Sequence, residues 1–376
     1  MRFACNTKEL SKACQSVSRA AATRASTPAL ECIKVSVADG RVGLCSYNLQ
    51  FGISTVLPAA GAEEDGAILI NAKTLCSIVK KLPAVSTSIY SDGNAATIES
   101  GNAQYKISAI PAIEFPEAPD VGDITSVQIP QRALKDMLHQ TLFAVNEANT
   151  LRPVYTGAQL KLADGNLQIC GTDGFRAATC KEPIGYEGKP IDCVIPKNSL
   201  LEVERLLPDN CGDTLMLAIG ARHAVFTVGD YQVFTRLLDG EFGDISKVMT
   251  QNFTTSIKVN ARDFADSVGR VSVVVNSRFR TPVVCSFKHN GGTIHLQCAT
   301  QLGKAEDTVH TADFQGGDVE IGFNPQYLAD ALLHSDCDEV QLQLTDPLRP
   351  LVVRPDDGDS FAFLVLPVRL KAGNAA

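Results

Sequence analysis

No Cys-x-x-Cys pair occurs among the twelve cysteines of this 376-residue chain, and its six histidines show no His-Glu-x-x-His or other tight ligand spacing. Cysteines scattered in this way through a long chain do not form the dense framework of a small secreted disulfide protein. Most lie in apolar, strand-like contexts, such as Cys45 in VGLCSY and Cys285 in VVCSF, and are expected to be reduced, buried, structural thiols. The histidine spacing offers no metal site, and no cofactor is expected. No apolar run approaches the roughly 18 residues that a membrane span needs, so a soluble protein without a membrane partner is expected. The start, MRFACNTKELSK, turns polar and charged at once, which predicts no leader peptide and a cytoplasmic location. A phosphate loop of the form G-x-x-x-x-G-K-[ST], a G-x-S-x-G nucleophile elbow and a carboxylate cluster are also absent, which weighs against an enzyme. A net charge of −8 and a pI near 5.3 argue against nucleic acid, but only as an average over all surfaces.

What the chain does contain is a repeat. Its length exceeds the roughly 250–300 residues beyond which one hydrophobic core stops growing, so several domains are expected. Three segments read as a strand running directly into an amphipathic helix: FACNTKELSKACQSV from Phe3, VQIPQRALKDMLHQTL from Val127 and IKVNARDFADSVGRV from Ile257. Aligned, Leu10, Leu134 and Phe264 coincide, and one turn later so do Cys14, Leu138 and Val268, an i, i+4 apolar stripe. A second strand-to-helix unit recurs from Ile68, Cys193 and Val319, with Leu75, Leu200 and Leu328 in register and Asn71, Pro196 and Asn324 at the helix start. Alternating runs with turn signals follow, such as ADGRVGLCSYN, ADGNLQICGTD and NGGTIHLQCAT, and Pro28, Pro153 and Pro282 mark the same strand entry. The expectation is an α+β protein of three tandem repeats, 1–120, 121–250 and 251–376, each with two helices packed on antiparallel sheet.

Charge segregates along this repeat. The six helical segments together carry +5 against −8 for the chain, which leaves −13 for strands and loops. If the helices share one side, that side attracts a polyanion without reading its sequence. Ordinary solvated charge explains the same excess equally well, since most of it sits in the first three helices. An open array of sheets must also cover or pair its terminal edges, and three repeats per chain invite a two-chain ring with pseudo-sixfold symmetry.

Four separated motifs, TDGFRAA, LLDGEF, IGFNPQYLADAL and the terminal LPVRL, resemble in their order the bacterial DNA polymerase β sliding clamp over essentially the whole chain. The resemblance implies a head-to-tail homodimeric ring around double-stranded DNA, with helices lining the hole. It also implies processivity by topological linkage without catalysis. Its implied partners are the replicative polymerase catalytic subunit, a clamp loader, and other polymerases and repair proteins that dock through short linear peptides. Family positions suggest Arg24, Lys73, Lys80 and Lys197 as DNA-lining residues, and helix charge adds Lys8, Lys12, Arg132 and Lys135. At the ring interface, Tyr105 and Ile107 match one apolar side, and Val273 and Val274 the other. Asn102 and Gln104 stand where some relatives carry arginines, and only Glu306 and Asp307 lie opposite, so apolar packing rather than ion pairing is expected there.

The stretch CGTDGFRA, from Cys170, differs from its sister strand ends CSYNLQ and CATQLGKA, since it alone carries Gly-Phe-Arg. The resemblance makes it one wall of a peptide groove. One subsite is implied at Arg152, Tyr155, Thr172, Gly174, Phe175, Arg176, Ala177, Gly243 and Val248. The other is implied at Asn324, Tyr327, Leu348, Pro350, Leu364, Leu366, Pro367, Val368 and Arg369. Apolar anchors would supply affinity there, while Arg152, Arg176 and Arg369 orient the peptide. Phe175 replaces a histidine and Gly243 a proline of the enterobacterial pattern. Two other readings stay open: a phosphate-handling hydrolase using Asp173 and Arg176, and a clamp-fold scaffold without ring closure.

Overall fold

The computed structural model describes residues 1–119, 122, 124–148, 151–209, 212–249, 252–275 and 281–370. Its helices are α1 (Thr7–Val17), α2 (Ala72–Val79), α3 (Gln131–Leu142), α4 (Lys197–Leu206), the short α5 (Ser246–Met249), α6 (Ala261–Ser272) and α7 (Pro325–Leu333). The six longer helices each follow a strand with no intervening loop, and an asparagine makes this possible at four of the joints. Asn6, Asn71, Asn260 and Asn324 keep an extended or near-extended backbone while their side chains accept hydrogen bonds from the first free N–H groups of α1, α2, α6 and α7. At α3 and α4 the preceding strands end on Pro130 and Pro196. The predicted stripes face the core, with Leu10, Leu134, Phe264, Cys14, Leu138 and Val268 all buried, as are Leu75, Leu200 and Leu328.

Turn chemistry sets the hairpins. Asp39–Gly40 and Asp164–Gly165 have positive φ at both positions, the geometry that joins two strands without splaying them. The three equivalent prolines do not act alike. Pro28 and Pro153 open 3-10 turns, Pro28–Glu31 and Pro153–Thr156, because a fixed φ near −65° suits a helical first position, and the strands begin only afterwards. Pro282 directly precedes its strand, Val283–Lys288.

The strands form four antiparallel sheets. By contact the chain divides into two compact units, 1–134 with 198–237, and 135–197 with 238–376. The middle sequence repeat is therefore shared between them. In the first unit its strand Tyr231–Arg236 pairs with Phe51–Pro58 of the first repeat, making one nine-stranded sheet. The second unit does the same, with Arg176–Tyr186 pairing Phe361–Val365 of the third repeat. Two smaller sheets keep a free edge: Ala103–Ser108 ends the five-stranded sheet of the first repeat, and Gly303–His310 ends the four-stranded sheet of the third.

The stretch that follows Leu238 crosses the face of the second unit's large sheet. Phe242 packs with Val154, Tyr155, Cys170 and Val194, and Met249 packs with Ala177, Val352, Ala362 and Leu364. Ile245 contacts both clusters, so this crossing segment builds a wall across an otherwise open sheet.

Candidate peptide groove and nucleic-acid lining

The CGTDGFRA turn is closed by its own side chains. Asp173 Oδ1 accepts from the amides of Phe175 at 2.8 Å and Arg176 at 3.0 Å, Thr172 Oγ1 donates to the Arg176 carbonyl at 2.7 Å, and Gly174 sits at φ +89°, where a Cβ would be strained. Beyond the turn, the Leu366 amide donates to the Phe175 carbonyl at 3.0 Å, tying the last strand to it. Asp173 and Gly174 thus shape the bend.

Next to the turn lies a cavity of about 230 Å³. It is lined by Tyr155, Thr172, Gly174, Phe175, Arg176, Ala177, Gly243 and Val248 of the first predicted subsite, together with Leu364 and Leu366 of the second. Arg152 is not in its lining; its Nη1 donates to the Tyr155 hydroxyl at 3.1 Å and its guanidinium lies over that ring. Asn324, Tyr327, Leu348, Pro350, Pro367, Val368 and Arg369 also fall outside it. Asn324 is the cap of α7, Val368 bridges to Gly322, Leu348 and Arg369 are exposed, and Pro350 and Pro367 are half-buried. Tyr327 adjoins the cavity by stacking on Phe175, centroids 6.4 Å apart.

Arg176, which lines the cavity, is also held by its own chain. Its Nε donates to Asp173 Oδ2 at 3.1 Å, its Nη1 meets Asp330 of α7, and its guanidinium lies over the rings of Tyr327 at 4.5 Å and Phe143 at 5.5 Å. The side chain is 13% exposed, against 6% for Asp173 and 18% for Asp330. Arg176 therefore braces the turn against α7, and Phe175, 58% exposed, is the residue the turn presents. The same bonds pair Asp173 with Arg176. Asp244 and Ile245 also line the cavity and were missed in sequence. Only the apolar character of Ile245, just after GEFGD, could have pointed to it. Asp330 was missed as well, and nothing in the sequence ties it to an arginine 154 positions away.

In the first unit, Lys8 and Lys12 of α1 join Ser11, Gln15, Ser16, Arg19, Arg205, Tyr231 and the 206–208 segment around a cavity of about 560 Å³ whose lining holds no carboxylate. Arg19 and Arg205 were not anticipated. Lys73 lines a separate cavity of about 290 Å³ beside Glu31 and Asn71, while Arg24 and Lys80 are exposed. Arg132 is exposed and donates to the Asp209 carbonyl at 2.9 Å, and Lys135 is half-buried. Lys197 departs from the expected surface cation: its Nζ donates to the Val145 carbonyl at 2.9 Å, and burial lowers its pKa.

At the free sheet edges, Tyr105 and Ile107 are half-buried on Ala103–Ser108, and Val273 and Val274 follow α6, Val273 fully outward. Glu306 and Asp307 each pair with a cation of their own chain. Lys304 bonds Glu306 at 2.6 Å and holds its carboxyl below the usual range. Burial pushes the Asp307 carboxyl up, but bonds from Arg270 at 2.7 Å, the Thr308 amide and Ser267 outweigh it and leave the pKa lowered.

Among the described residues no His, Cys, Asp and Glu cluster could hold a metal, the described cysteines are free thiols, and no helix is long and apolar enough to cross a membrane.

Comparison with known proteins supplies the family. The DNA polymerase III beta subunit is matched in three parts: its N-terminal domain over residues 1–119, its central domain over 128–244 and its C-terminal domain over 246–369. The Beta sliding clamp of Bacillus subtilis is 28% identical over 98% of this chain and 100% of its own length. That of Halalkalibacterium halodurans is 29% identical over 94% of this chain and 95% of its own. Among solved structures, the DNA polymerase sliding clamp of Bacillus subtilis superposes with a TM-score of 0.93 at 28% identity, covering 99% of this chain and 100% of that one. The DNA polymerase III beta subunit of Thermotoga maritima does so with a TM-score of 0.90 at 25% identity, covering 98% and 100%. With all three domains matched in order, this chain belongs to the DNA polymerase III beta subunit family, the β sliding clamps.

Proposed function

We propose that two copies of this chain close head to tail into a ring around duplex DNA, and that the groove beside Phe175 captures short peptides of the proteins the ring carries. The chain is a DNA sliding clamp serving replication processivity, and the ring is how it would do so. One observation carries the reading: the first and third repeats each end a sheet on an unpaired strand, Ala103–Ser108 and Gly303–His310, so one chain offers two different edges. Pairing these unlike edges between two copies satisfies both at once. Tyr105, Ile107, Val273 and Val274 supply the apolar contact at each seam, since Glu306 and Asp307 are held within their own chain.

The repeats 1–120, 121–250 and 251–376 would act as three domains per chain, six per ring. Lys8, Lys12, Lys73, Arg132 and Lys135 on helices, Lys80 at the end of α2 and Arg24 in the segment after α1 would face the phosphates, weakly and without sequence preference, which permits sliding. The groove has an apolar floor of Val248, Leu364 and Leu366 and an aromatic rim of Phe175 and Tyr327. That mix suits a short linear segment with one or two large apolar anchors. The replicative polymerase catalytic subunit, the clamp loader, other polymerases and repair proteins would share it. The chain performs no catalysis and works in the cytoplasm. Sedimentation at micromolar concentration tests the ring: a dimer supports it, and a strict monomer excludes it. A monomer would favour the scaffold reading, which draws on the in-chain pairing of Glu306 and Asp307.

A further inference from the structure

Glu202 lies on α4 with a side chain only 8% exposed. A buried carboxylate destabilises a fold unless it is paired, and this one has two partners. Its Oε2 takes Arg19 Nη1 at 3.4 Å, and its Oε1 takes Nη1 of Arg205, one turn further along the same helix. Both arginines are otherwise open, 41% and 53% exposed, and both line the cavity that Lys8 and Lys12 of α1 also line. Glu202 itself is absent from that lining, so it sits behind the two guanidinium groups.

We propose that Glu202 is a positioning residue that restrains the grip of this cavity on the DNA backbone. The inference rests on the reading of the chain as a clamp that encircles duplex DNA. From behind, one carboxylate offsets one of the four positive charges around the cavity and fixes two long side chains that would otherwise reach out to a phosphate. Each guanidinium keeps further N–H donors facing outward, so a passing phosphodiester is still met. It is met by groups already shared with a carboxylate, and fewer condensed cations are displaced from the duplex. A lining built to slide needs this weak contact, because every phosphate fully neutralised adds to both affinity and residence at one register.

The test is equilibrium binding of the full chain to a short duplex of mixed sequence, followed by fluorescence anisotropy between about 50 and 200 mM salt. Glu202→Gln should bind more tightly at low salt, with a slope of log affinity against log salt steeper by about 0.9, the value of one additional phosphate contact. Over that fourfold salt range the variant loses roughly threefold more affinity than the parent. Glu202→Asp, which keeps the charge, should return the slope to that of the parent, and Arg19→Ala with Arg205→Ala in the Gln background should abolish the gain. A Gln variant of unchanged or shallower slope overturns the proposal. Should that variant fail to fold, Lys12→Ala against Arg205→Ala decides: the lysine change must reduce the slope more, and an equal or smaller reduction overturns it. A parent chain with no salt-dependent duplex binding would instead overturn the reading of this cavity as part of a DNA-facing lining.

Discussion

Arg176→Ala separates two roles for the most connected residue of the groove. In the folded chain its guanidinium bonds both Asp173 and Asp330, each largely buried, and lies over Tyr327 and Phe143. Alanine leaves both carboxylates without their cation. Breaking a buried ion pair by removing one partner destabilises by about 3–5 kcal/mol, and each cation–π contact adds on the order of 0.5–1 kcal/mol. A loss of about 4 kcal/mol lowers the melting temperature of a unit of this size by roughly 10 °C. Lysine should not rescue it, since one ammonium cannot bond two carboxylates in a fixed fork and lie flat on two rings. The assay pairs thermal unfolding with anisotropy of a labelled peptide bearing two apolar anchors. Stability and peptide affinity should fall together, and Asp330→Asn should lower both by a smaller amount, because Asp173 still holds the arginine. A variant that keeps its melting temperature but no longer binds peptide would refute the bracing role and return Arg176 to direct peptide contact.

At the ring seam, Ile107→Asp or Val273→Asp should convert the dimer to monomer in sedimentation, whereas Glu306→Ala should leave it a dimer. Asp307→Ala should weaken α6 instead, through loss of the Arg270 and Ser267 bonds, and show as a lower melting temperature of the dimer. Among the thiols, burial pushes Cys5 and Cys170 up to about 12, so both should resist alkylation at pH 8 until the chain is unfolded. Because the unfolded thiols release their protons near pH 9 and the folded ones near pH 12, the unfolded state binds fewer protons between those values. Stability should therefore fall as pH rises through that window, as urea titrations at pH 8 and 10 would detect.

Local signals in the chain were legible where physics is local. Leu10, Leu134 and Phe264 declare their helices because an apolar side every three to four residues has one use in water, and Asn71 and Asn324 declare the helix starts because their side chains cap them. Pairing between distant strands left no such mark. Nothing in Phe51–Pro58 or Tyr231–Arg236 names the other, so the sheet that joins two repeats appears only in three dimensions. The groove followed the same division. Asp173 and Gly174 were readable as a bend because turn geometry restricts residue type, whereas the engagement of Arg176 with Asp330 depends on a helix 154 residues away. Charge counting misled in two places. Lys197 counted as a surface cation although its ammonium is turned onto the Val145 carbonyl. The zero net charge of α4 concealed an inward Glu202 behind an outward Arg205, because a sum over a helix carries no direction.

A ring holds DNA by enclosing it. Protein loaded onto a nicked circular duplex by a clamp loader and freed of excess by gel filtration should stay with the circle at high salt, where phosphate contacts alone fail. Cutting the circle once should release it within minutes by sliding off the ends, and blocking those ends with bound protein should retain it. Retention on the cut, unblocked duplex, or loss from the intact circle as salt is raised, would contradict enclosure.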